Sequence, residues 1–228
     1  MTRWFYLSIL LTLLALAASL YVWNFRYDDL PEQVPIHWNI HGQPDGFVPK
    51  SDVVMTFLLL PAVMAGTLGL TLLLPWLSPK SFEVDRFRSV YGYLMMLVTA
   101  LLGFIHCISL WGSLHPGLPL DRLLVGGLFV FFALIGNVLG KVKRNFWIGV
   151  RTPWTLASEQ VWNETHRLTA WLWVAVSMAA IVALLCNVPV MFCFVALMAA
   201  ALYPVLHSLI LYKRLERQGR LQTADHVT

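Results

Sequence analysis

Six long apolar runs divide the sequence, and they limit what the chain can fold into more than any other feature. Each run is close to the roughly 20 residues that an α-helix needs to cross about 30 Å of hydrocarbon. The runs cover residues 4–23, 53–77, 90–111, 123–139, 168–186 and 190–212. A membrane β-barrel would instead show short segments of alternating hydrophobicity. The sequence therefore predicts an all-α polytopic membrane protein with six transmembrane helices.

Composition agrees with a lipid environment. Hydrophobic residues make up 58% of the chain and charged residues 12%, whereas an average soluble protein is about 25% charged. A soluble domain of this size could not bury so much apolar surface. The first run is long enough to span a bilayer, so we expect a membrane anchor rather than a cleaved secretory signal.

The distribution of Lys and Arg predicts the orientation in the membrane. Of the 16 Lys and Arg residues, Arg26, Lys50 and Arg122 lie in the segments that follow the first and third runs. The other 13 lie on the opposite side, and the cytoplasmic side of a membrane protein carries the excess of Lys and Arg. We therefore expect both termini in the cytoplasm. These basic residues are not gathered into one face, so no direct nucleic-acid partner is expected.

This topology predicts three regions along the chain. Residues 1–78 would hold the first two helices and an extracytoplasmic loop at 24–52. Residues 79–212 would form a four-helix membrane domain with a cytoplasmic loop at 140–167. Residues 213–228 would form a basic cytoplasmic tail on the inner headgroups.

The predicted outer loop is rich in proline and acidic residues. Four prolines between residues 31 and 49 favour extended or turn backbone over helix. Acidic residues outnumber the two basic ones, so the loop could attract a cationic extracellular peptide, although plain solubilising charge explains the same excess. We take His37, Trp38, Asp45 and Gly46 as candidate ligand-binding residues.

His37 and His41, with Asp45 as a third ligand, raise the alternative of a metal site. Their spacing of four suits a metal on a helix, but Pro35 and the Gly42-Gln43-Pro44 turn argue against a helix here. We favour a His-Trp pair packed at the membrane surface, and we expect no metal and no other cofactor.

The predicted inner loop mixes basic, aromatic and small polar residues. Thr152-Pro153 is typical of a helix start, with a capping hydroxyl followed by proline at the first helical position. If that helix continues without a break, Trp154, Ser158, Trp162 and His166 share one face. The basic and aromatic residues indicate a segment at headgroup depth on the lipid bilayer. The polar residues point instead to an ordered fold, because unpartnered polar groups are costly there. The candidate binding residues of this loop are Asn137, Lys141, Asn145, Arg151, Thr152, Trp154, Ser158, Trp162 and His166.

The same loop carries a resemblance to a known family. Gly136-Asn137, Gly140-Lys141, Asn145, the string Ile148-Gly149-Val150-Arg151-Thr152-Pro153-Trp154, Ser158 and Trp162 are similar to the signature of the SdpI family of bacterial membrane proteins. The outer segment from Leu30-Pro31 through Pro35-Ile36-His37-Trp38 to Gly42, Pro44-Asp45-Gly46 and Lys50 resembles the small domain of unknown function that often precedes it.

The resemblance implies a multi-pass protein of the bacterial cytoplasmic (inner) membrane. It further implies immunity to a secreted toxic peptide and signalling to a cytoplasmic regulator. The outer loop would then receive the peptide and the inner loop the soluble partner. Within the inner loop, Arg151 is our first choice for an anchoring role, because its planar fork can serve several oxygens at once.

Two other function classes stay open. An enzyme acting on lipid or peptide at the inner leaflet could use Ser158, Glu159, Glu164 or His166, but their spacing suggests no nucleophile–base pair. An ion-coupled transporter would need ionisable groups near the midplane, and no Asp, Glu, Lys or Arg falls in the centre of any run. We expect His106 and His207 to be hydrogen-bonded packing residues. A non-enzymatic role is favoured.

Overall fold

The computed structural model of the protein describes residues 2–39, 41–115, 117 and 120–222, with the side chain of Ser81 left out. The helices and strands are, in chain order, α1 (Arg3–Phe25), β1 (Gln33–Trp38), β2 (Pro44–Pro49), α2 (Val53–Leu77), α3 (Arg88–Leu114), α4 (Asp121–Leu139), α5 (Pro153–Ala157), α6 (Glu159–Leu185) and α7 (Val190–Arg217). Short 3-10 turns occupy Tyr27–Asp29, Lys50–Asp52, Lys80–Phe82 and Val84–Phe87.

Six of the described helices are long and apolar enough to cross a membrane: α1, α2, α3, α4, α6 and α7. The prediction of an all-α membrane fold with six spans is therefore confirmed. The boundaries follow the apolar runs closely except in α6, which begins at Glu159 rather than near residue 168. This early start results from a cap that the apolar pattern does not contain, because the Ser158 hydroxyl accepts a hydrogen bond from the Val161 N–H.

The chain forms two compact units. Unit 1 contains residues 1–72 and 92–128, and unit 2 contains residues 73–91 and 129–228. Unit 1 therefore carries α1 and both strands, whereas unit 2 carries α5, α6 and α7.

In unit 1, the proline-rich segment folds into an antiparallel β-hairpin of β1 and β2. Extended backbone in this segment was predicted, and the pairing of Val34 with Val48 and of Pro35 with Phe47 sets its register. The turn at Gly42 has a φ of +71°. A Cβ there would lie 2.8 Å from the backbone nitrogen of Asp121, so glycine allows both the turn and the close approach to α4.

The hairpin packs on the helices of its own unit through an apolar cluster. The cluster consists of Val22, Leu30, Val34, Val53, Phe57 and Leu110, with Tyr27, Val48 and Leu114 packed against it. Ser113 of α3 also donates a hydrogen bond to the Pro35 carbonyl, at 2.9 Å. The hairpin is therefore a fixed part of unit 1.

Below that cluster, a buried hydrogen-bond network joins α1, α2 and α3. The Ser19 hydroxyl donates to the Phe57 carbonyl at 2.7 Å. Pro61, one turn further along α2, has no N–H to offer that carbonyl. His106 completes the network, with its Nε2 2.9 Å from the Ser19 oxygen and 3.2 Å from the Ala15 carbonyl oxygen. The expectation that His106 is a hydrogen-bonded packing residue is confirmed.

In unit 2, a similar hydrogen bond joins α6 and α7. The indole N–H of Trp173 donates to the Ala200 carbonyl at 3.2 Å, the carbonyl that Pro204 in α7 leaves without its helical partner. The ring of Trp173 also makes an edge contact with Phe132, at 4.9 Å between centroids. His207 was also expected to be a hydrogen-bonded packing residue. That expectation is wrong for its Nδ1, which is buried and has no hydrogen-bond partner among the described residues.

Candidate functional site

The helix that starts in the inner loop does not continue through it, so the condition for a shared face of Trp154, Ser158, Trp162 and His166 is not met. The helix that starts at Pro153 ends at Ala157, and Ser158 is extended, with φ −138° and ψ 125°. Ser158 then caps α6, so the chain changes direction between two helices. Trp154 therefore does not share a helical face with Trp162 and His166, although the latter two do stack on each other. The predicted start at Thr152-Pro153 is confirmed.

The N-terminus of α5, the first helix of this loop, carries a reciprocal capping box of Thr152 and Thr155. The Thr152 hydroxyl accepts from the Thr155 N–H at 3.2 Å, and the Thr155 hydroxyl accepts from the Thr152 N–H at 2.9 Å. This reciprocal arrangement satisfies two backbone donors that a helix start leaves free. The Thr152 hydroxyl also lies 3.0 Å from the Ser208 hydroxyl on α7. The loop is therefore anchored to a residue of α7 that lies 56 positions further along the chain.

His166 holds the middle of the loop. The Val150 N–H donates to its Nε2 at 3.0 Å, and its Nδ1 lies 2.8 Å from the Trp162 carbonyl oxygen. Because a backbone N–H can only donate, Nε2 is the unprotonated nitrogen and Nδ1 carries the proton. Gly149 makes this contact possible, since it has a φ of +113° and a Cβ there would collide with the imidazole ring.

Trp162 packs against the imidazole ring of His166. The two rings stack with centroids 3.9 Å apart and planes 17° apart. The Trp162 indole N–H donates to the Val142 carbonyl at 2.8 Å. Trp162 and His166 are both fully buried. The pair therefore forms a small core under the loop and holds it at Val142 and Val150.

Asn145 closes the other end of the loop. Its Oδ1 accepts from the N–H groups of Trp147 and Ile148, at 2.7 and 2.8 Å. Its Nδ2 donates to the carbonyls of Lys143 and Ile148, at 2.9 and 3.0 Å. These four bonds use the full capacity of the amide, and the side chain is fully buried. The loop is therefore ordered, as its polar residues predicted.

The outer rim of the loop is basic and aromatic. Arg144 donates to the Leu156 carbonyl at 2.9 Å, and Arg151 donates to the Phe146 carbonyl. Phe146 remains 45% exposed. The guanidinium of Arg151 therefore donates to one carbonyl, and its remaining N–H groups are on an exposed side chain.

The other predicted residues of this loop lie apart from the buried core. Asn137, in the last turn of α4, and Lys141 are exposed, and Trp154 is half-buried. The sequence analysis also missed partners that complete the site. Ser78 accepts from the Trp147 indole at 2.7 Å, Ser208 meets Thr152, and Val142 meets Trp162. No local pattern identifies these residues, because each is paired only by the fold.

In the hairpin, the predicted residues separate onto two faces. The Nδ1 of His37 and a carboxylate oxygen of Asp45 form a hydrogen bond on the exposed face, and Gly46 packs against His37. Trp38 is half-buried and contacts Gly112 of α3. The pairing of His37 with Trp38 at the membrane surface is thus replaced by a pairing with Asp45. Among the described residues, no group of three or more His, Cys, Asp or Glu could hold a metal ion.

Comparison with known proteins follows the same division. The SdpI/YfhL protein family matches residues 141–208, which include the entire loop and its anchor at Ser208. A domain of unknown function, DUF1648, matches residues 10–65, which include the hairpin. The chain is thus similar to the SdpI/YfhL protein family over the inner loop, α6 and most of α7. The resemblance stated from the sequence is therefore confirmed.

Among curated proteins, Immunity protein SdpI of Bacillus subtilis (strain 168) is 29% identical to this chain over 164 residues. The match covers 72% of this chain and 73% of the relative. No solved structure matches the chain. The family match and the six helices that are long and apolar enough to span indicate a multi-pass membrane protein that is similar to an immunity protein.

Proposed function

We propose that this chain is a membrane immunity protein that protects its cell from a secreted toxic peptide. The observation that carries the proposal is the similarity to Immunity protein SdpI over 72% of the chain. The family match, at residues 141–208, also includes the hydrogen-bonded loop at 141–158. The similarity in sequence favours a similar role.

In the proposed arrangement, the protein lies in the bacterial cytoplasmic membrane with both termini inside. The distribution of Lys and Arg supports this arrangement, in which the hairpin would be outside and the 141–158 loop inside. The hairpin would then be the segment that a secreted peptide meets first, and the loop the segment available to a cytoplasmic regulator.

The hairpin segment suits a cationic peptide. It exposes the carboxylates of Asp28, Asp29, Glu32, Asp45 and Asp52. Its two cations are already engaged, since Arg26 pairs with Asp29 and Lys50 lies over the ring of Tyr27. The remaining negative charge would speed the approach of a cationic ligand and would be weakened by salt.

Signalling to a regulator is the further part of the proposal. A peptide that binds one arrangement of the helices more tightly would shift the population toward it. The exposed side chains of the loop, with Arg151 and Lys143 among them, would present the change to a soluble partner. The buried core of Asn145, Trp162 and His166 would keep the loop itself in shape.

Two of the four residues first considered for catalysis at the inner leaflet already have hydrogen-bonding roles. Both ring nitrogens of His166 are hydrogen-bonded, and the hydroxyl of Ser158 caps α6. The structure therefore gives these residues positioning roles, and immunity is the function we carry forward.

A survival assay tests the proposal. A Bacillus subtilis strain that lacks Immunity protein SdpI would express this chain and be grown together with its immune parent. We expect restored survival relative to an empty vector. Lack of protection, with the chain inserted in the membrane at the level of a protective SdpI control, would contradict the proposal.

Two sets of variants locate the function within the chain. Asp28→Asn with Asp45→Asn should weaken protection, and binding of a cationic ligand should fall most at low salt. Glu216→Gln in the tail serves as the charge control.

Arg151→Lys should impair protection more than Lys143→Ala, because a lysine cannot reproduce the guanidinium fork. Equal tolerance of the two changes would remove Arg151 from the proposed anchoring role.

A further inference from the structure

Two loops of unit 2 that are distant in sequence are held together by side-chain contacts, the longest of which joins residues 69 positions apart. The Trp147 indole N–H donates to the Ser78 hydroxyl at 2.7 Å. The rings of Phe82 and Phe146 meet edge to face with centroids 6.2 Å apart. The Arg144 guanidinium lies over the ring of Phe82, 5.4 Å from its centroid. Residues 78–88 and 141–151 therefore form one surface, which we call the two-loop surface.

The two-loop surface carries an excess of exposed cations. The recorded ion pairs in the described part of unit 2 join Arg88 to Asp85 and Lys213 to Glu216. The cations of this surface that are exposed and form none of those pairs are Lys80, Arg86, Lys141, Lys143 and Arg151. Arg151 uses one nitrogen on the Phe146 carbonyl, and a guanidinium has five N–H donors. The surface is thus electrostatically suited to an anion.

The position of these loops favours an anion that belongs to the membrane. Ser78 directly follows the last residue of α2, and α3 begins at Arg88. Lys141 lies two residues beyond the end of α4. All three helices are long and apolar enough to span, so the surface lies at the depth where lipid headgroups are found.

The aromatic residues support the same ligand. Phe146 is 45% exposed although it belongs to an otherwise ordered turn, and Phe82 and Trp147 are half-buried beside it. Asn145, through its four hydrogen bonds, holds that turn in place. An exposed phenylalanine next to cations suits the boundary between headgroups and acyl chains better than open water.

We propose that the two-loop surface is a binding site for the headgroup of an anionic phospholipid. Lys80 and Arg86 from one loop, and Lys143 and Arg151 from the other, contact the phosphate oxygens. Phe146 lies against the glycerol and the first methylenes of the acyl chains. The bound lipid joins the two loops and holds the ends of α2, α3 and α4 in register with the membrane surface.

The experiment uses the purified full-length chain in nanodiscs that contain equal amounts of phosphatidylglycerol and phosphatidylcholine. Native mass spectrometry counts the lipids of each kind that remain bound. The site variant is Lys80→Gln with Lys143→Gln. The matched control, Arg217→Gln with Arg220→Gln, removes the same charge from the tail after α7. Circular dichroism confirms that each variant keeps its helix content.

We expect the wild-type chain to retain phosphatidylglycerol in preference to phosphatidylcholine. The site variant should lose about thirtyfold in phosphatidylglycerol affinity, since it removes two cations and each contributes roughly fivefold near a membrane surface. The tail control should change by less than about twofold. A second pair, Arg86→Gln with Arg151→Gln, should behave as the site variant does and covers the case in which the first pair misfolds.

Four outcomes would overturn the proposal. They are equal retention of the two lipids, an equal loss in the tail control, full displacement of the lipid by millimolar inorganic phosphate, and tighter binding of a polyglutamate peptide than of phosphatidylglycerol. The third outcome would make this a free-phosphate site, and the fourth would make it a docking surface for an acidic protein. The test does not depend on the immunity proposal, because it contains no toxic peptide.

Discussion

Unit 1 buries His106 in α3, and unit 2 buries His166 in α6. The two side chains have opposite hydrogen-bonding roles. In unit 1, His106 points its Nε2 at two oxygens of α1, and Ser19 carries the connection on to α2. In unit 2, His166 accepts at Nε2 from Val150 and donates from Nδ1 within α6. One histidine therefore fastens helices to each other, and the other fastens a loop to a helix.

The backbone groups around each histidine set its tautomer. The Ala15 carbonyl can only accept, so His106 carries a proton on Nε2. His166 takes the opposite tautomer in unit 2, because the Val150 N–H can only donate. The comparison shows that a buried histidine can stabilise either the packing of helices or the fold of a loop.

The largest expected effect comes from His166→Ala. The change removes two hydrogen bonds and the stacking partner of Trp162, and it leaves a cavity under Gly149. We expect a loss of about 3–4 kcal/mol in the free energy of unfolding, or of the order of 10 °C in the melting temperature. Thermal unfolding in detergent, followed by tryptophan fluorescence, measures this loss. His37→Ala is the exposed control and should change stability by less than about 0.5 kcal/mol.

A local readout sharpens the comparison between the two histidines. Hydrogen exchange within residues 141–158 should accelerate in His166→Ala, because the loop loses its central anchor. The same peptides should exchange at the wild-type rate in His106→Ala, although that variant is also destabilised. Equal acceleration in the two variants would contradict the separate roles of the two histidines.

Next in size is Asn145→Ala, matched with Asn39→Ala in the hairpin. Both side chains bracket a turn, but Asn145 is fully buried whereas Asn39 accepts two backbone N–H groups near the surface. We expect a loss of about 2–3 kcal/mol for Asn145→Ala and below about 1 kcal/mol for Asn39→Ala. Urea or thermal unfolding of the two purified variants checks the order, and a reversed order would mean that the loop is not the better-packed turn.

A smaller effect tests the role of the proline in α2. Ser19→Ala should cost about 1 kcal/mol, because the Phe57 carbonyl then loses the donor that Pro61 cannot replace. In a Pro61→Ala background the new N–H at residue 61 satisfies that carbonyl, so the cost of Ser19→Ala should shrink. A double-mutant cycle on unfolding free energies isolates this coupling. A coupling of zero would show that the proline and the serine act independently.

The smallest expected effect is the same cycle in unit 2. Trp173→Phe removes the indole N–H but keeps an aromatic ring against Phe132. The bond to Ala200 is longer than its counterpart in unit 1, at 3.2 Å. We therefore expect a coupling with Pro204→Ala of a few tenths of a kcal/mol, measured by the same unfolding experiment. A coupling larger than that of Ser19 with Pro61 would reverse the ranking of the two units.

Much of this fold is visible in the sequence, because a membrane span must be one long apolar run. The six spans, the extended hairpin segment and the helix start at Thr152 all follow from local residues. The break at Ser158 does not, since helical periodicity continues across it from Trp154 to His166. Only the extended backbone of Ser158 shows that one helix ends and another begins there.

The contacts of the site are harder to predict than the site itself. The polar residues of the 141–158 loop marked it as ordered, but the loop's partners include Ser78 and Ser208, which lie in separate segments of the sequence. A hydrogen bond that joins residues 56 or 69 positions apart leaves no periodic signal. The sequence therefore identifies which side chains need partners, and the fold decides which partners they receive.

The most direct test of this account is ¹⁵N NMR of histidine-labelled protein in lipid, with His166→Asn and His106→Asn used to assign the two signals. The account predicts that His166 is protonated on Nδ1 with a bare, hydrogen-bonded Nε2, and that His106 is protonated on Nε2. A proton on Nε2 of His166 would contradict the bond from Val150, and with it the locked loop.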